Sequence, residues 1–128
     1  MIVVDTHSWL WWVNREAALS RPARRAIDGA DEIGVPAISA MEVAALVRRG
    51  KISLDVGVRP WVAQALALDR IVELPLTAEI AIEAGSYGDE FVGDPADRII
   101  YATAIATGSK LVTRDRFLRS YDPLRTVW

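Results

Sequence analysis

Four acidic residues lie where a carboxylate can take part in a reaction, each just after a predicted strand or near the beginning of a predicted helix. They are Asp5, Glu42, Asp97 and Asp115. Carboxylates brought within several ångströms of one another raise each other's pKa, and a divalent cation reverses that balance. Mg2+ or Mn2+ takes hard oxygen ligands, keeps several waters and leaves positions open for phosphate oxygens. The four acids therefore predict a metal site that activates water for phosphodiester hydrolysis.

The segment at residues 94–97 carries two acids with different expected roles. Asp94 is a good N-cap for the helix that follows, and Pro95 suits the first helical position. Asp97 shares a helix face with the apolar stripe of that helix, where an ionised group is costly unless a cation or donor compensates it. Capping therefore explains Asp94, whereas Asp97 requires a cation because the cap position is already taken.

A carboxylate at a helix start is most often only a cap, and this simpler interpretation applies to several of the acids. Ser39 and Glu42 have the spacing of a capping box, in which the acid bonds back to the backbone of the cap residue. What favours a functional site is the joint placement of the acids after several strands.

Short apolar runs alternate with helical patterns along the whole chain. The predicted strands are residues 2–4, 33–36, 71–74, 111–113 and 126–128, and the predicted helices begin near residues 6, 21, 39, 59, 78, 95 and 116. This alternation predicts parallel strands joined by right-handed crossovers. The expected fold is a single α/β domain over residues 1–128, with three α/β/α layers around a central, mostly parallel sheet of short strands.

Parallel sheets bind ligands beyond the carboxyl ends of their strands, where the strand order reverses. Asp5 and Asp115 follow the first and fourth predicted strands, Glu42 lies in the first turn of the helix after the second strand, and Asp97 opens the helix that leads into the fourth. The fold thus predicts that all four acids meet near one edge of the sheet.

Composition restricts the chemistry further. The chain has 128 residues, 52% of them hydrophobic, a formal charge of −2, one histidine and no cysteine. Disulfides, thiolate zinc sites and thiol nucleophiles are excluded, and any polyanion must be bound by local arginines or by a metal. No apolar run approaches the roughly 18 residues of a membrane span, so we expect a cytoplasmic protein.

Several neighbours of the acids are candidates for supporting the site or contacting a phosphate backbone. They are Thr6, Thr113, Arg98, Arg114 and Arg116. His7 is left out of the catalytic set, since a single histidine just after a strand is more often a surface or hydrogen-bonded residue. Trp9, Trp11 and Trp12 can stack on bases, yet packing in the core or at an oligomer interface is the simpler interpretation.

Four segments together resemble the PIN-domain ribonucleases, and specifically the VapC-type toxins of bacterial toxin–antitoxin pairs. The segments are DTH at 5–7, SAMEV at 39–43, DPADRIIYA at 94–102 and LVTRD at 111–115. The resemblance covers nearly the full length. It implies a PIN-like fold and a Mg2+- or Mn2+-dependent endoribonuclease. It also implies a homodimer that is inhibited by a cognate antitoxin protein.

The resemblance places the metal-site acids at Asp5, Glu42, Asp97 and Asp115. Asp94 matches an additional acid found in a subset of relatives, as a ligand, an outer group or a cap. Those relatives often carry a histidine shortly before that acid, where this chain has Val92 and Gly93.

Two other functions are compatible with the same residues. A metal-dependent phosphatase would use Asp5 as its nucleophile, but such enzymes usually have a second acid two residues later, where this chain has His7. A non-catalytic module that binds RNA or a partner protein would use the acids only as helix caps.

Overall fold

The computed structural model describes all residues 1–128, which form five strands and seven helices. The strands are β1 (Ile2–Val4), β2 (Ile33–Pro36), β3 (Ile71–Leu74), β4 (Lys110–Val112) and β5 (Thr126–Val127). The helices are α1 (Thr6–Val13), α2 (Arg21–Asp28), α3 (Ile38–Arg48), α4 (Val58–Leu66), α5 (Ala78–Ser86), α6 (Pro95–Ala106) and α7 (Arg116–Tyr121). No helix combines the length and apolar character that crossing a membrane requires.

The five strands form one sheet in the order β3-β2-β1-β4-β5, and every neighbouring pair is parallel. Successive side chains of a strand point to opposite faces. Ile2 and Val4 accordingly pack into a core with α1, α2 and α4, whereas Val3 packs with α6 and α7 on the other face. Both faces are covered by helices, which confirms the predicted three-layer α/β fold.

The strand order reverses beside β1. The chain moves outward from β1 to β2 and β3, then returns to place β4 on the opposite side of β1. At the carboxyl end of β1, the backbone N–H of Asp5 donates to the carbonyl of Val112, 3.1 Å away, at the end of β4. Asp5 therefore lies at the reversal point, where ligands of such sheets bind.

The predicted capping box at Ser39 and Glu42 is wrong. Helix α3 begins at Ile38, Ala37 already has helical backbone angles, and no side chain caps this end. The N–H of Ala37 still bonds to the carbonyl of Leu74 in the neighbouring strand. Because the chain passes from strand to helix at this residue, no position remains for a cap, and Ser39 is buried inside the helix.

Arg98 ties the loop between α5 and α6 to the body of the domain. Its guanidinium donates to the carbonyl oxygens of Ala84, Tyr87, Gly88 and Phe91 at 3.4, 2.6, 3.1 and 3.2 Å. The guanidinium carbon also lies 5.3 Å from the centre of the Phe91 ring. The planar fork of an arginine suits several acceptors at once, so Arg98 fixes the segment that leads into α6.

We predict that Arg98→Lys lowers the free energy of unfolding by about 2 kcal/mol, because one ammonium group cannot satisfy four carbonyls spread over the end of α5 and this loop. Urea denaturation would measure the loss. Arg116→Lys is the matched control, since Arg116 is exposed and its side chain makes no hydrogen bond within the chain. Equal stability of the two variants would contradict the role given to Arg98.

Candidate active site

An open pocket of about 460 Å³ lies at the carboxyl edge of the sheet, beside the reversal point. It is lined by Asp5, Thr6, His7, Trp11, Glu42, Asp94, Asp97, Ile100, Arg114 and Asp115. The structure therefore brings together all four acids singled out from the sequence, with Asp94 as a fifth. They arrive from the starts of four different helices.

Asp5 is held rigidly between β1 and α1. Its Oδ1 accepts a hydrogen bond from the backbone N–H of Ser8 at 2.8 Å, which makes Asp5 the N-cap of α1. Burial raises the pKa of Asp5, and contacts with Thr113 and Ser8 oppose that rise. The carboxylate is thus fixed in position, but its charge is poorly hydrated.

Glu42 enters the pocket from the second turn of α3. Its carboxylate accepts a hydrogen bond from the hydroxyl of Thr6, a buried residue whose Oγ1 lies 3.0 Å from Ser39 Oγ. Burial raises the pKa of Glu42, and the charges of Asp94 and Asp5 raise it further. Thr6 therefore supports the site as expected, by orienting Glu42.

Asp94 and Asp97 form the capping box that was expected at Ser39 and Glu42. Asp94 Oδ1 accepts from the backbone N–H of Asp97 at 2.9 Å, and Asp97 Oδ2 accepts from the backbone N–H of Asp94 at 3.2 Å. The expectation that Asp97 has no capping role is therefore wrong. One oxygen of Asp97 is held by the helix start, and the half-buried carboxylate still lines the pocket.

Gly93 allows this arrangement because the backbone passes close to Asp97. A Cβ on residue 93 would lie 3.0 Å from Asp97 Cβ, 3.2 Å from Asp97 Oδ2 and 3.1 Å from the ring of Phe91. These contacts are tighter than ordinary packing. A glycine at this position leaves Asp97 free to take its position at the pocket.

The other acids of the pocket act directly on Asp97. Burial, followed by the charge of Asp94, raises the pKa of Asp97 to about 7, and the more distant charges of Glu42 and Asp115 add to the rise. The capping hydrogen bond from Asp94 acts in the opposite direction. Asp97 is thus affected by Asp94 in its own segment and by acids from two other parts of the chain, as mutual proximity requires.

Asp115 completes the group from the start of α7. Its Oδ1 accepts from the backbone N–H of Leu118 at 2.8 Å, and its own N–H donates to Thr113 Oγ1 at 3.0 Å. The hydroxyl of buried Thr113 therefore fixes the turn that presents Asp115. This is the support that the sequence suggested for Thr113.

No arginine or lysine forms an ion pair with any of the five pocket acids. The only salt bridge of the chain joins Arg125 to Asp122, outside the pocket. Arg114 lines the pocket, but its guanidinium carbon lies 5.9 Å from the centre of the Trp11 ring. Arg98 and Arg116 do not line the pocket, so the structure does not bring these two predicted residues to the acids.

The donor set fits a hard divalent cation. All five acids offer oxygen ligands; burial disfavours the ionised forms of Asp5, Glu42 and Asp97 unless a cation is present, and like charge adds to this effect at Glu42 and Asp97. No three of the acids lie close enough together to form a complete metal cage. Mg2+ is commonly held by one or two carboxylates together with water and substrate phosphate, so an incomplete cage agrees with this class of site.

Trp11 and His7 line the pocket although neither was expected there. Their rings lie 5.3 Å apart, one helical turn from each other on α1. The signal in the sequence is that spacing, since both positions follow Asp5 on one face of the helix that it caps. Because the segment is rich in tryptophan, packing in the core or at an interface was the simpler interpretation, and the spacing was not interpreted as part of a site.

Two of the larger surface clefts have a different chemistry. One, of about 670 Å³, is lined by side chains of both charges, arginines as well as aspartates, together with Trp12. The other, of about 810 Å³, is formed by the connector between α3 and α4 and has five hydrophobic residues among its ten. Neither gathers uncompensated acids, so residue chemistry rather than size locates the candidate active site.

Comparisons with known proteins agree with this fold. Residues 2–123 match the PIN domain family. The chain is 41% identical over 129 residues to Ribonuclease VapC22 of Mycobacterium tuberculosis, covering 99% of this chain and 98% of that protein. A toxin-antitoxin complex from Klebsiella pneumoniae is similar in structure with a TM-score of 0.71 and 18% identity, covering 100% and 97% of the two chains. The structure of VapBC2 from Rickettsia felis bound to a promoter DNA fragment is similar with a TM-score of 0.69 and 17% identity, and the match covers 98% of this chain and 97% of that chain.

We predict that the metal-free protein becomes more stable as the pH falls from about 8 to about 5. The pKa of Asp97 is about 7 in the folded state against 3.8 as its ordinary value, so the folded state binds more protons in this window and gains stability from them. Because Asp97 is half exposed, we expect a gain on the order of 1 kcal/mol.

Urea denaturation in EDTA across this pH range would measure the effect. Asp97→Asn keeps an acceptor for the backbone of Asp94 and should reduce the slope, leaving the contributions of Asp5 and Glu42. A slope of opposite sign, or an unchanged slope in Asp97→Asn, would contradict the electrostatic description of the pocket.

Proposed function

Since this chain belongs to the PIN domain family, we propose that it is an endoribonuclease that hydrolyses RNA phosphodiester bonds with Mg2+ or Mn2+. The observation that carries the proposal is a pocket with five carboxylates and no ion pair to any of them. A purely structural cluster of acids would be expected to recruit a lysine or arginine. This one keeps its charge available for a cation and, through that cation, for a phosphate.

We assign the principal ligand roles to Asp5 and Asp97, with Glu42 and Asp115 completing the site. Asp5 and Asp97 each have one oxygen held by a backbone N–H, which fixes the carboxylate while the side chain lines the pocket. Asp94 acts mainly as the cap of α6 and adds charge at the rim. When bound, the divalent ion lowers the pKa of water for in-line attack on phosphorus and stabilises the leaving oxygen.

The residues around the acids hold them in position and contribute to binding. Thr6 holds Glu42, and Thr113 holds the turn at Asp115. Arg114 lines the pocket, makes no ion pair within the chain and is free to contact a phosphate of the RNA backbone. RNA binding at this site is thus shared between the metal and a local arginine, as the charge of −2 requires.

We further propose that the enzyme is the toxin of a toxin–antitoxin pair. Its relative is named Ribonuclease VapC22, and similar solved structures include a toxin-antitoxin complex and VapBC2. On this basis we expect a cognate antitoxin protein that blocks the acidic pocket, a homodimer, and action in the cytoplasm, where RNA is the available substrate.

We predict that Asp97→Asn lowers metal-dependent cleavage by about 100-fold or more, because it removes a ligand charge while keeping the capping geometry. Purified protein would be incubated with a mixed RNA pool, with and without Mg2+, and the cut ends mapped. Circular dichroism should show an unchanged fold. Full activity in Asp97→Asn would contradict the assignment.

Asp94→Ser is the matched control, because serine is also a good N-cap but carries no charge. We expect this variant to retain most of its activity. Calorimetry with Mn2+ separates the enzyme from a non-catalytic module: the wild-type pocket should bind the ion, and Asp97→Asn should bind it more weakly. Absence of Mn2+ binding in the wild-type protein would favour the structural interpretation of the acids.

A further inference from the structure

The tryptophans of the first helix face different surroundings. Trp9 is fully buried and packs edge-on against Trp61 with ring centres 5.0 Å apart. Trp12 donates its indole N–H to Asp28 at 2.9 Å, away from the acids. Trp11 is half-buried and lines the acidic pocket. Of these three aromatic side chains, only Trp11 is placed next to the proposed reaction centre.

Trp11 is flanked by a histidine ring and an arginine guanidinium. The ring of His7 lies 5.3 Å away at an angle of 46°, and the guanidinium carbon of Arg114 lies 5.9 Å from the indole centre. His7 and Arg114 are both exposed and both line the pocket. We call His7, Trp11 and Arg114 the aromatic rim. Trp128, which follows the edge strand β5, packs against this rim, and its ring centre lies 5.9 Å from that of Trp11.

Arg114 does not neutralise the acids beside it. Its side chain makes no hydrogen bond and no ion pair within the chain, although five carboxylates line the same pocket. Its contact is with the face of Trp11, a geometry in which the ring attracts the cation. The guanidinium is therefore kept at the edge of the pocket with its donors unused, where they can contact a phosphate.

Charge alone does not give this chain an affinity for RNA. Its net charge is −2, and the acids of the pocket repel a phosphate backbone until a cation is bound. Stacking of a base on an aromatic ring does not depend on net charge, and arginine planes and histidine rings serve as additional stacking surfaces. A base must leave its own helix before it can stack in this way.

We propose that the aromatic rim holds an unpaired nucleobase next to the scissile phosphate, with Arg114 contacting the adjoining backbone. The substrate is then a single-stranded or looped segment of RNA. This inference rests on the proposed function and makes it more specific: the acids hold the reacting phosphate, and Trp11 positions the strand relative to them.

Replacing the indole tests the rim directly. Trp11→Leu should raise the KM for a single-stranded RNA that carries a mapped cut by about 10- to 100-fold, as expected for the loss of one stacked base. Its kcat should change much less, because the acids are untouched. Trp11→Phe should recover most of the affinity, and Trp12→Leu, on the other face of the same helix, should leave KM unchanged.

An altered substrate tests the same contact from the RNA side. Oligonucleotides lacking the base at single positions around the cut should include one with a raised KM for the wild-type enzyme. For Trp11→Leu that substitution should cause no further rise, since the stacking partner is already absent. An equal additional loss in Trp11→Leu would show that the base contacts another part of the protein and would overturn the proposal.

Failure of the aromatic rim and failure of the nuclease assignment give different experimental results. A folded Trp11→Leu variant with wild-type KM overturns the rim while the nuclease assignment stands. If the wild-type protein cuts no RNA, fluorescence anisotropy with a short random-sequence RNA in the presence of Mg2+ decides: weaker binding by Trp11→Leu than by Trp12→Leu supports the rim, and equal binding overturns it.

Trp11 packs partly against the core, so a second variant keeps the test valid where Trp11→Leu does not fold. Arg114→Gln alters only an exposed side chain. It should raise the KM by several-fold and weaken the salt dependence of RNA binding by about one phosphate contact. An Arg114→Gln enzyme with unchanged KM and salt dependence would overturn the proposal.

Discussion

Repulsion among the carboxylates at the edge of the sheet is the interaction to which the rest of the structure responds. Asp5, Asp94 and Asp115 each cap a helix, and Asp97 completes a capping box. Each aspartate therefore receives a hydrogen bond from a backbone N–H at the positive end of a helix, which partly offsets its charge. These bonds fix the acids in place without neutralising them. A side-chain cation would lower the repulsion further, but it would also occupy the position that a metal needs.

The sheet makes this convergence possible. Parallel strands place all their carboxyl ends at one edge, and the reversal beside β1 separates the crossovers so that a pocket opens there. Asp5 follows the central strand, and its backbone is bonded to the end of β4. The starts of α3, α6 and α7 surround it. A single short strand of three residues, Ile2–Val4, thus fixes the centre of both the core and the site.

The alternation of short apolar runs with helical patterns was sufficient to predict the three-layer fold and the edge at which the acids meet. Local patterns were not sufficient to assign caps. Ser39 with Glu42 and Asp94 with Asp97 have the same spacing, yet only the second pair forms a capping box, because Ala37 is bonded to β3 and passes directly into α3. Arg98 likewise follows Asp97 directly in the sequence, which suggested that it supports the site. On the helix its side chain points in a different direction, and its guanidinium donates to the loop carbonyls instead. Such outcomes depend on tertiary contacts that spacing does not encode.

An aromatic rim beside an acidic pocket resolves a conflict between binding and catalysis. A dense basic patch would attract RNA, but arginines free to move near these acids would pair with them and close the pocket. Here the one arginine at the pocket lies over an indole ring instead of on a carboxylate. Affinity that comes from stacking adds no charge that competes with the metal, and it requires an unpaired base. The stacking contact proposed for Trp11 would therefore let a chain of net charge −2 hold RNA and would also restrict which RNA it holds.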